Sequence, residues 1–152
     1  MASLTASRSV SRKGAESTAV PPVITLSMKA NAIVFKGGLV ATDNTGYVVS
    51  GTAIGATGLK VWGIANKDVN NTGGSNGALT VDVTRGIYPF NNLGGDPVAQ
   101  ADVGNTCYVD DDQTIRKTSN TSTRSNAGIF LGFDESGTMA LVQVGNFSQT
   151  GV

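Results

Sequence analysis

The stretch Leu59–Phe90 constrains the fold more than any other part of the chain. Residues 60–65 (KVWGIA) are rich in β-branched and aromatic side chains, and residues 78–84 (ALTVDVT) alternate apolar with polar side chains. A period of two is typical of a half-buried strand. Between these runs, residues 70–77 (NNTGGSNG) supply the glycines and asparagines that a chain reversal needs. The stretch therefore predicts a long hairpin.

The alternation in the second run also predicts which side chains are buried. One set should face a core: Leu79, Val81 and Val83. The other set should face water: Thr80, Asp82 and Thr84. Gly86 then permits a bulge or bend before a further apolar run at residues 87–90.

Other short apolar runs, separated by turn residues, follow the same pattern. They lie at residues 23–28, 32–36, 39–42, 47–50, 107–109, 114–116, 127–133 and 138–144. About ten short strands at such intervals are typical of a compact barrel or sandwich. We therefore predict an all-β fold of short antiparallel strands. At most one short helix is expected, at residues 98–103, with Asp96 as its N-cap, Pro97 at its first position and Gly104 ending it.

The composition agrees with a turn-rich β protein. Hydrophobic residues make up 39% and charged residues 14%, while Gly, Ser, Thr and Asn, which favour turns over helix interiors, are frequent. A chain of 152 residues fits one domain with a real core. No apolar run approaches the roughly 20 residues that cross a bilayer, and no signal peptide is recognised. Cys107 is the only cysteine, which predicts a small strand residue in a soluble protein made in a reducing cytoplasm.

The chain divides into three segments by composition. Residues 1–22 are predicted to form an extended N-terminal arm, residues 23–145 the β body and residues 146–152 a polar C-terminal tail. The arm is small, polar and aperiodic, so it should be disordered alone and ordered only on a partner. Pro21 and Pro22 stiffen its junction with the body.

Charge separates the arm from the body. The 11 basic and 11 acidic residues give a formal net charge of zero, so no global field recruits nucleic acid or membrane. Residues 1–36 hold five basic residues against one acidic residue, and the remainder holds six against ten. The arm residues Arg8, Arg12 and Lys13 can therefore reach an acidic partner surface. An unused tail is the alternative interpretation.

No segment predicts catalysis, a cofactor or a metal site. Residues 73–77 match G-x-S-x-G, but that motif needs a strand-to-helix turn and a histidine, and the chain has no histidine. Asp110, Asp111 and Asp112 lack the ligand spacing of a calcium loop and are predicted to form a solvated turn. A glycosidase carboxylate pair stays open from sequence, although Glu occurs only at positions 16 and 135. No P-loop or RNA-reading motif occurs.

Three large aromatic side chains have two possible roles. Trp62, Tyr88 and Phe90 can be core residues, or they can anchor an interface between subunits, where such side chains are enriched.

The order of several short motifs resembles a known family. They are VWGIA at 61–65, GALTVDV at 77–83, RG at 85–86, DPV at 96–98, ADVGNTCYVDDDQTI at 101–115 and AGI at 127–129. Over residues 30–145 the chain resembles the head-decoration, or capsid-cement, proteins of tailed bacteriophages. The resemblance implies an all-β body on the outer surface of the phage head, commonly a trimer at local three-fold positions. It also implies an N-terminal extension that reaches across the major capsid protein.

The resemblance thus predicts a non-enzymatic virion protein, made in the host cytoplasm, whose partners are the major capsid protein and its own copies. It implies no direct contact with nucleic acid or membrane. Two other classes share this composition. A tail-tube or fibre-associated protein would need a long stacking loop, for which residues 117–126 are available. A glycan-binding adhesin would need Trp62 or Tyr88 exposed in a shallow groove.

Overall fold

The computed structural model describes residues 2–10 and 23–144 of the chain. The described part is all-β, as predicted. Its strands are β1 (Val23–Ser27), β2 (Ile33–Val34), β3 (Leu39–Thr42), β4 (Lys60–Ala65), β5 (Val69–Asn70), β6 (Thr80–Thr84), β7 (Ile87–Asn92), β8 (Thr106–Asp111), β9 (Thr114–Arg116), β10 (Asn126–Phe133) and β11 (Ala140–Val144). Two single 3-10 turns, Gly51–Ala53 and Gln100–Asp102, are the helical segments of the described chain.

Five of the strands close a barrel in the order β10, β11, β7, β9, β8, with β8 pairing back to β10. All of its pairs are antiparallel except β7 with β9. β7 and β10 are both antiparallel to β11, so they run in the same direction. β8 is antiparallel to both β10 and β9, so β9 also runs in that direction and is parallel to β7. Two register shifts in β10 bend that strand so that it can pair with both neighbours and close the barrel.

The other main sheet has the order β1, β6, β4, β3. Val48 bridges both Thr42, at the end of β3, and Met28, just after β1. The predicted strand at residues 47–50 is therefore reduced to a bridge at one residue. β2 and β5 form a separate two-stranded pair within the long connections.

The predicted hairpin between β4 and β6 is only partly present. These strands pair through two residue pairs, Ile64 with Thr84 and Ala65 with Val83, whereas β6 pairs along its whole length with β1. The intervening loop contains β5, which pairs with β2. The chain between β4 and β6 therefore does not form a simple hairpin turn.

The burial predicted for β6 is correct at Val81 and Val83, which are fully buried, and wrong at Leu79, which is 43% exposed. Leu79 precedes the first paired residue of β6, and its carbonyl accepts a hydrogen bond from the Met28 amide. Alternation along a strand fixes side-chain direction only within the paired region, so it does not extend to Leu79.

Two hydrophobic cores lie on opposite faces of β3 and β4. Leu39 and Ala41 belong to the core that fills the barrel, and Val40, between them, belongs to the second core. A strand buried on both faces explains why these residues form a continuous apolar run instead of alternating. The largest side chains of the barrel core are Tyr88, Phe90 and Phe130.

The predicted helix at residues 98–103 is a single 3-10 turn, and Asp96 does not cap it. The Asp96 carboxylate instead accepts hydrogen bonds from Arg116 and Thr118, 20 and 22 residues away. Asp102 is the last residue of the turn, and its carboxylate accepts the amide of Ala99, the N-cap residue, at 2.7 Å.

Candidate functional site

Residues 2–10 lie against the body of their own chain, and we call this segment the strap. The Arg8 amide donates to the Lys36 carbonyl at 2.8 Å, and the Leu4 amide donates to Asp112 Oδ1 at 2.8 Å. At the other end of the strap, the Gln113 side chain donates to the Ala2 carbonyl at 2.9 Å. The expectation that the whole arm is free until it meets a partner is therefore wrong for residues 2–10.

The strap docks with one side facing the body. Leu4, Arg8 and Val10 are half-buried, and Val10 packs against the barrel core, whereas Thr5, Ser7 and Ser9 are exposed. Burial alternates from Ser7 to Val10, as expected for an extended segment that places alternate side chains on one face, whereas half-buried Ser3 and exposed Ala6 break the alternation. No clear sequence pattern therefore predicts the docking of the strap.

The body approaches the strap closely at Gly37. A Cβ atom at this position would lie 2.5 Å from the Arg8 carbonyl oxygen and 3.0 Å from the Val10 side chain. Gly37 also has a φ of +83°, a conformation that favours glycine. The residue is therefore required both by the backbone turn and by the contact with the strap.

Arg8 brings a positive charge to the acidic turn between β8 and β9. Its Nε donates to the Gly37 carbonyl at 3.0 Å, and Asp111 and Asp112 lie close enough to act on its charge. Burial lowers the pKa of Arg8, and these two carboxylates oppose that effect. Within the described chain, Arg8 Nη2 and Asp111 Oδ2 are both buried without a hydrogen-bond partner.

Asp112 is almost completely buried, with 1% of its surface exposed. Burial raises the pKa of its carboxyl, and Asp111 raises that pKa further, while the Leu4 amide and Arg8 lower it. The predicted solvated turn is therefore wrong for Asp111 and Asp112, both of which are buried. The strap covers the turn, and no local sequence pattern records that contact.

The three basic residues predicted to reach a partner have different positions. Arg8 donates to the Gly37 carbonyl and lies near Asp111 and Asp112 of its own chain. Arg12 and Lys13 lie outside the described residues. Lys13 and Arg12 thus remain the candidate contacts of the arm with another molecule.

The two ends of the undescribed segment 11–22 are both fixed on the body. Val10 lies beside Gly37, whose amide donates to the Ala65 carbonyl. Ala65 pairs with Val83, and Val83 pairs with Ile24 in β1. Four steps between neighbouring segments, at about 4.8 Å each, separate the two ends by at most about 19 Å.

The segment between these ends is much longer than the gap. Residues 11–22 have an extended reach of about 40 Å at roughly 3.3 Å per residue. The segment includes Arg12 and Lys13, so the two basic side chains belong to a connection that is anchored at both ends.

The predicted aromatic interface residues are directed into the subunit itself. Phe90 is fully buried and Tyr88 is 4% exposed, both within the barrel core. Trp62 is half-buried, packs on the second core and donates from Nε1 to Thr42 Oγ1 at 2.8 Å. The core interpretation is thus the correct one for Tyr88 and Phe90, and the interface role is not available to them.

The features weighed for catalysis are dispersed. Ser75 of the G-x-S-x-G match lies exposed in a loop that leads into strand β6, not into a helix. Cys107 is fully buried, and burial raises the pKa of its thiol to about 12. Among residues 2–10 and 23–144, no cluster of His, Cys, Asp or Glu is placed to hold a metal ion.

Asp110 and Asp96 instead belong to a half-buried ion network. Arg116 donates to Asp96 at 3.0 Å and contacts Asp110 at 3.3 Å. Arg124 also lies within 3.9 Å of Asp110 and donates to the Gly55 carbonyl. This network fastens the loop at residues 117–125 onto the barrel.

Two clefts open on the surface of the described chain. One, of about 340 Å³, lies between the Gln100–Asp102 turn and residues 117–119, where Lys117 pairs with Asp102 at 3.2 Å. The other, of about 430 Å³, lies at the β10–β11 turn beside Phe133 and Glu135. Neither cleft includes a strap residue, Trp62 or Tyr88.

In the described segments, no helix is long and apolar enough to span a membrane. No family model, curated protein or solved structure matches the chain.

Proposed function

We propose that the protein is a structural decoration protein, which binds the outer surface of a tailed-phage head and stabilises contacts between major capsid proteins. The ordered motifs over residues 30–145 support this function, and an all-β body is the fold that the resemblance implies. In this proposal the protein acts by binding, not by catalysis, and is made in the host cytoplasm before it joins the virion.

The observation that carries the proposal is the basic connection held at both ends. Val10 and Val23 flank a segment that contains Arg12 and Lys13. Val10 packs against the barrel core, and Val23 is the first residue of β1. A connection with fixed ends loses less conformational freedom on binding than a free tail of the same length. It is therefore suited to present positive charge to an acidic capsid surface.

Cement action requires contact area and not chemistry. Packed DNA pushes the shell of a full head outward, so a protein that bridges neighbouring capsomers opposes their separation. Several copies joined in a closed ring, such as the trimer that the resemblance implies, would spread this load over several capsid subunits. Residues 23–145 hold more acidic than basic residues, and residues 11–22 hold more basic than acidic ones, so each copy brings charges of both signs to its contacts.

The two alternative classes receive less support. A tail-tube protein needs a projecting loop, whereas residues 117–125 are tied to the barrel by Thr118, which donates to Asp96, and by Arg124, which donates to the Gly55 carbonyl. A glycan-binding module needs Trp62 or Tyr88 in an open groove, whereas Tyr88 is buried and Trp62 is half-buried.

Binding to purified heads that lack the protein tests the proposal. The variant Arg12→Glu/Lys13→Glu should bind about tenfold or more weakly than the unchanged chain, because like charges would meet across the interface. Co-sedimentation at two salt concentrations measures the affinity and its electrostatic part.

The matched control is Lys60→Glu/Lys67→Glu, which makes the same charge change at two exposed positions of the body. It should bind as the unchanged chain does. Equal binding by the arm variant and the unchanged chain would exclude Arg12 and Lys13 as the contact, and no binding by the unchanged chain would exclude the function.

A further inference from the structure

The strap contacts the body in a way that does not depend on the connection that follows it. Its partners are Lys36, Gly37, Gly51, Asp112 and Gln113. None of these lies next to the strap in sequence, and each contact joins a strap atom directly to a groove atom. A strap from another copy of the chain could make the same contacts in the same groove.

The groove is specific for this strap. Gly37 leaves room for the Arg8 carbonyl, Asp112 accepts the Leu4 amide, and the two buried carboxylates lie near the Arg8 charge. The groove thus accepts an extended segment whose backbone amide and carbonyl groups and whose positive charge lie at fixed positions along it. The occupant that they select is therefore residues 2–10 of a copy of this chain.

The connection is long enough to deliver the strap to a neighbouring copy. Its ends need to span at most about 19 Å within one subunit, judged from strand spacing. Its extended reach is about 40 Å. With Val23 held in β1, the length of the connection therefore permits the strap to occupy a second groove that lies within about 40 Å.

We propose that the strap groove is an interaction site between copies of this chain, and that straps exchange between neighbouring subunits when copies are crowded. The contacts are identical within and between subunits, so exchange costs little beyond the entropy of association. A tethered strap competes at an effective concentration in the millimolar range. Each subunit thus keeps its own strap in dilute solution and shares it where copies are held side by side.

Cross-linking of full-length chains tests strap exchange. Ala2 and Gln113 are joined by a hydrogen bond of 2.9 Å, so Ala2→Cys and Gln113→Cys place two thiols within reach of a short bis-maleimide. The native Cys107 is fully buried and, with a raised pKa, does not react. The two single variants are mixed, incubated and cross-linked at about 10 µM and about 1 mM, below and at the effective concentration of a tethered strap.

Exchange predicts a covalent heterodimer that becomes at least about tenfold more abundant at the higher concentration. A chain with both substitutions should give an intramolecular product at the lower concentration, which shows that the reagent spans the two sites. The matched control replaces Gln113→Cys by Lys60→Cys, an exposed position at the opposite end of β4 from Ala65, whose carbonyl accepts the Gly37 amide. It should give only background heterodimer.

A heterodimer yield equal to the Lys60→Cys control at both concentrations, with the intramolecular product present, would overturn strap exchange. An absent intramolecular product would overturn it as well, because the strap would then not occupy the groove. The inference deepens the self-association in the proposed function, but its test uses the protein alone. Failure of exchange therefore leaves binding to heads untouched, and failure of head binding leaves exchange untouched.

Discussion

At the residue scale, Asp112 shows how a costly buried charge can fix one segment onto another. Its carboxylate accepts the Leu4 amide and lies near Arg8, yet it is 1% exposed. Burying a charge is unfavourable unless hydrogen bonds and an opposite charge offset the loss of water. Here the offset is incomplete, because the pKa of Asp112 remains above its ordinary value.

The raised pKa of Asp112 predicts that the contribution of this residue to the free energy of unfolding depends on pH. The folded state holds the Asp112 proton more tightly than the unfolded state, so the Asp112 contribution to stability is present at low pH and is lost as pH rises through the native pKa. Asp112→Asn keeps the acceptor and removes the charge. The free energy of unfolding of the variant, relative to the unchanged chain, should therefore increase from pH 4 to pH 7.

Urea unfolding at several pH values measures this difference. Asp110→Asn is the control, since Asp110 belongs to the separate ion network with Arg116. A relative stability of Asp112→Asn that falls as pH rises would contradict the account.

Gly128 is the position where β10 pairs with both β8 and β11. A Cβ atom there would lie 2.0 Å from the Gln143 carbonyl oxygen. Gly128→Ala should therefore lower the free energy of unfolding by about 3 kcal/mol, since the rigid backbone of β11 cannot move aside.

Gly132 provides a matched control in the same strand. It also has a positive φ, but its Cβ position has no neighbour within 4 Å in the described chain. Gly132→Ala should cost only about 1 kcal/mol, from backbone strain alone. Equal losses in the free energy of unfolding for the two variants, measured by chemical denaturation, would show that the contact with Gln143 does not contribute to the loss.

Residue-scale prediction from the sequence succeeded where burial follows a local pattern. Val81 and Val83 are buried because they alternate within a paired strand. The sequence predicts that Asp111 and Asp112 are exposed to solvent, because carboxylate side chains are seldom fully buried. Their burial depends on a strap more than 100 residues away in the sequence, which no local pattern contains.

At the element scale, the strands were predictable and their partners were not. β3, β4, β9 and β10 lie close to the predicted runs, because β-branched and apolar side chains mark them locally. The pairing of β6 with β1 rather than mainly with β4 was missed. Which strands pair depends on which strand edges remain uncovered by the loops. Here the loop between β4 and β6 contains β5, which pairs with β2.

The strap is the element whose role differs most from the expectation. Leu4→Ser/Val10→Ser should detach it and lower the free energy of unfolding by about 2 kcal/mol, since each half-buried aliphatic side chain contributes on the order of 1 kcal/mol. Hydrogen exchange at the Arg8 amide, which is bonded to Lys36, should accelerate in the same variant.

The control for the strap is Ser7→Ala/Ser9→Ala, which alters two exposed positions of the same segment. Its stability and its exchange at Arg8 should equal those of the unchanged chain. Unaltered exchange at Arg8 in the Leu4/Val10 variant would show that the strap is held by other contacts.

At the scale of the whole molecule, the all-β fold followed from composition and turn spacing, whereas its division into two cores did not. β3 and β4 separate the cores because both of their faces are apolar. The sequence carried this information in the run Leu39-Val40-Ala41, which was assigned to a strand without assigning its faces. The docking of residues 2–10 on the body could not be predicted, because it depends on contacts between residues that lie far apart in the sequence.

The central claim is that the protein binds the outside of a phage head and presents a basic connection to the capsid surface. A reconstructed map of purified tailed-phage heads that lack this protein, recorded with and without the added chain, tests it most directly. The account predicts additional density on the outer surface, with the segment at Arg12 and Lys13 against an acidic patch of the major capsid protein. Identical maps, or density only at the tail or inside the shell, would contradict it.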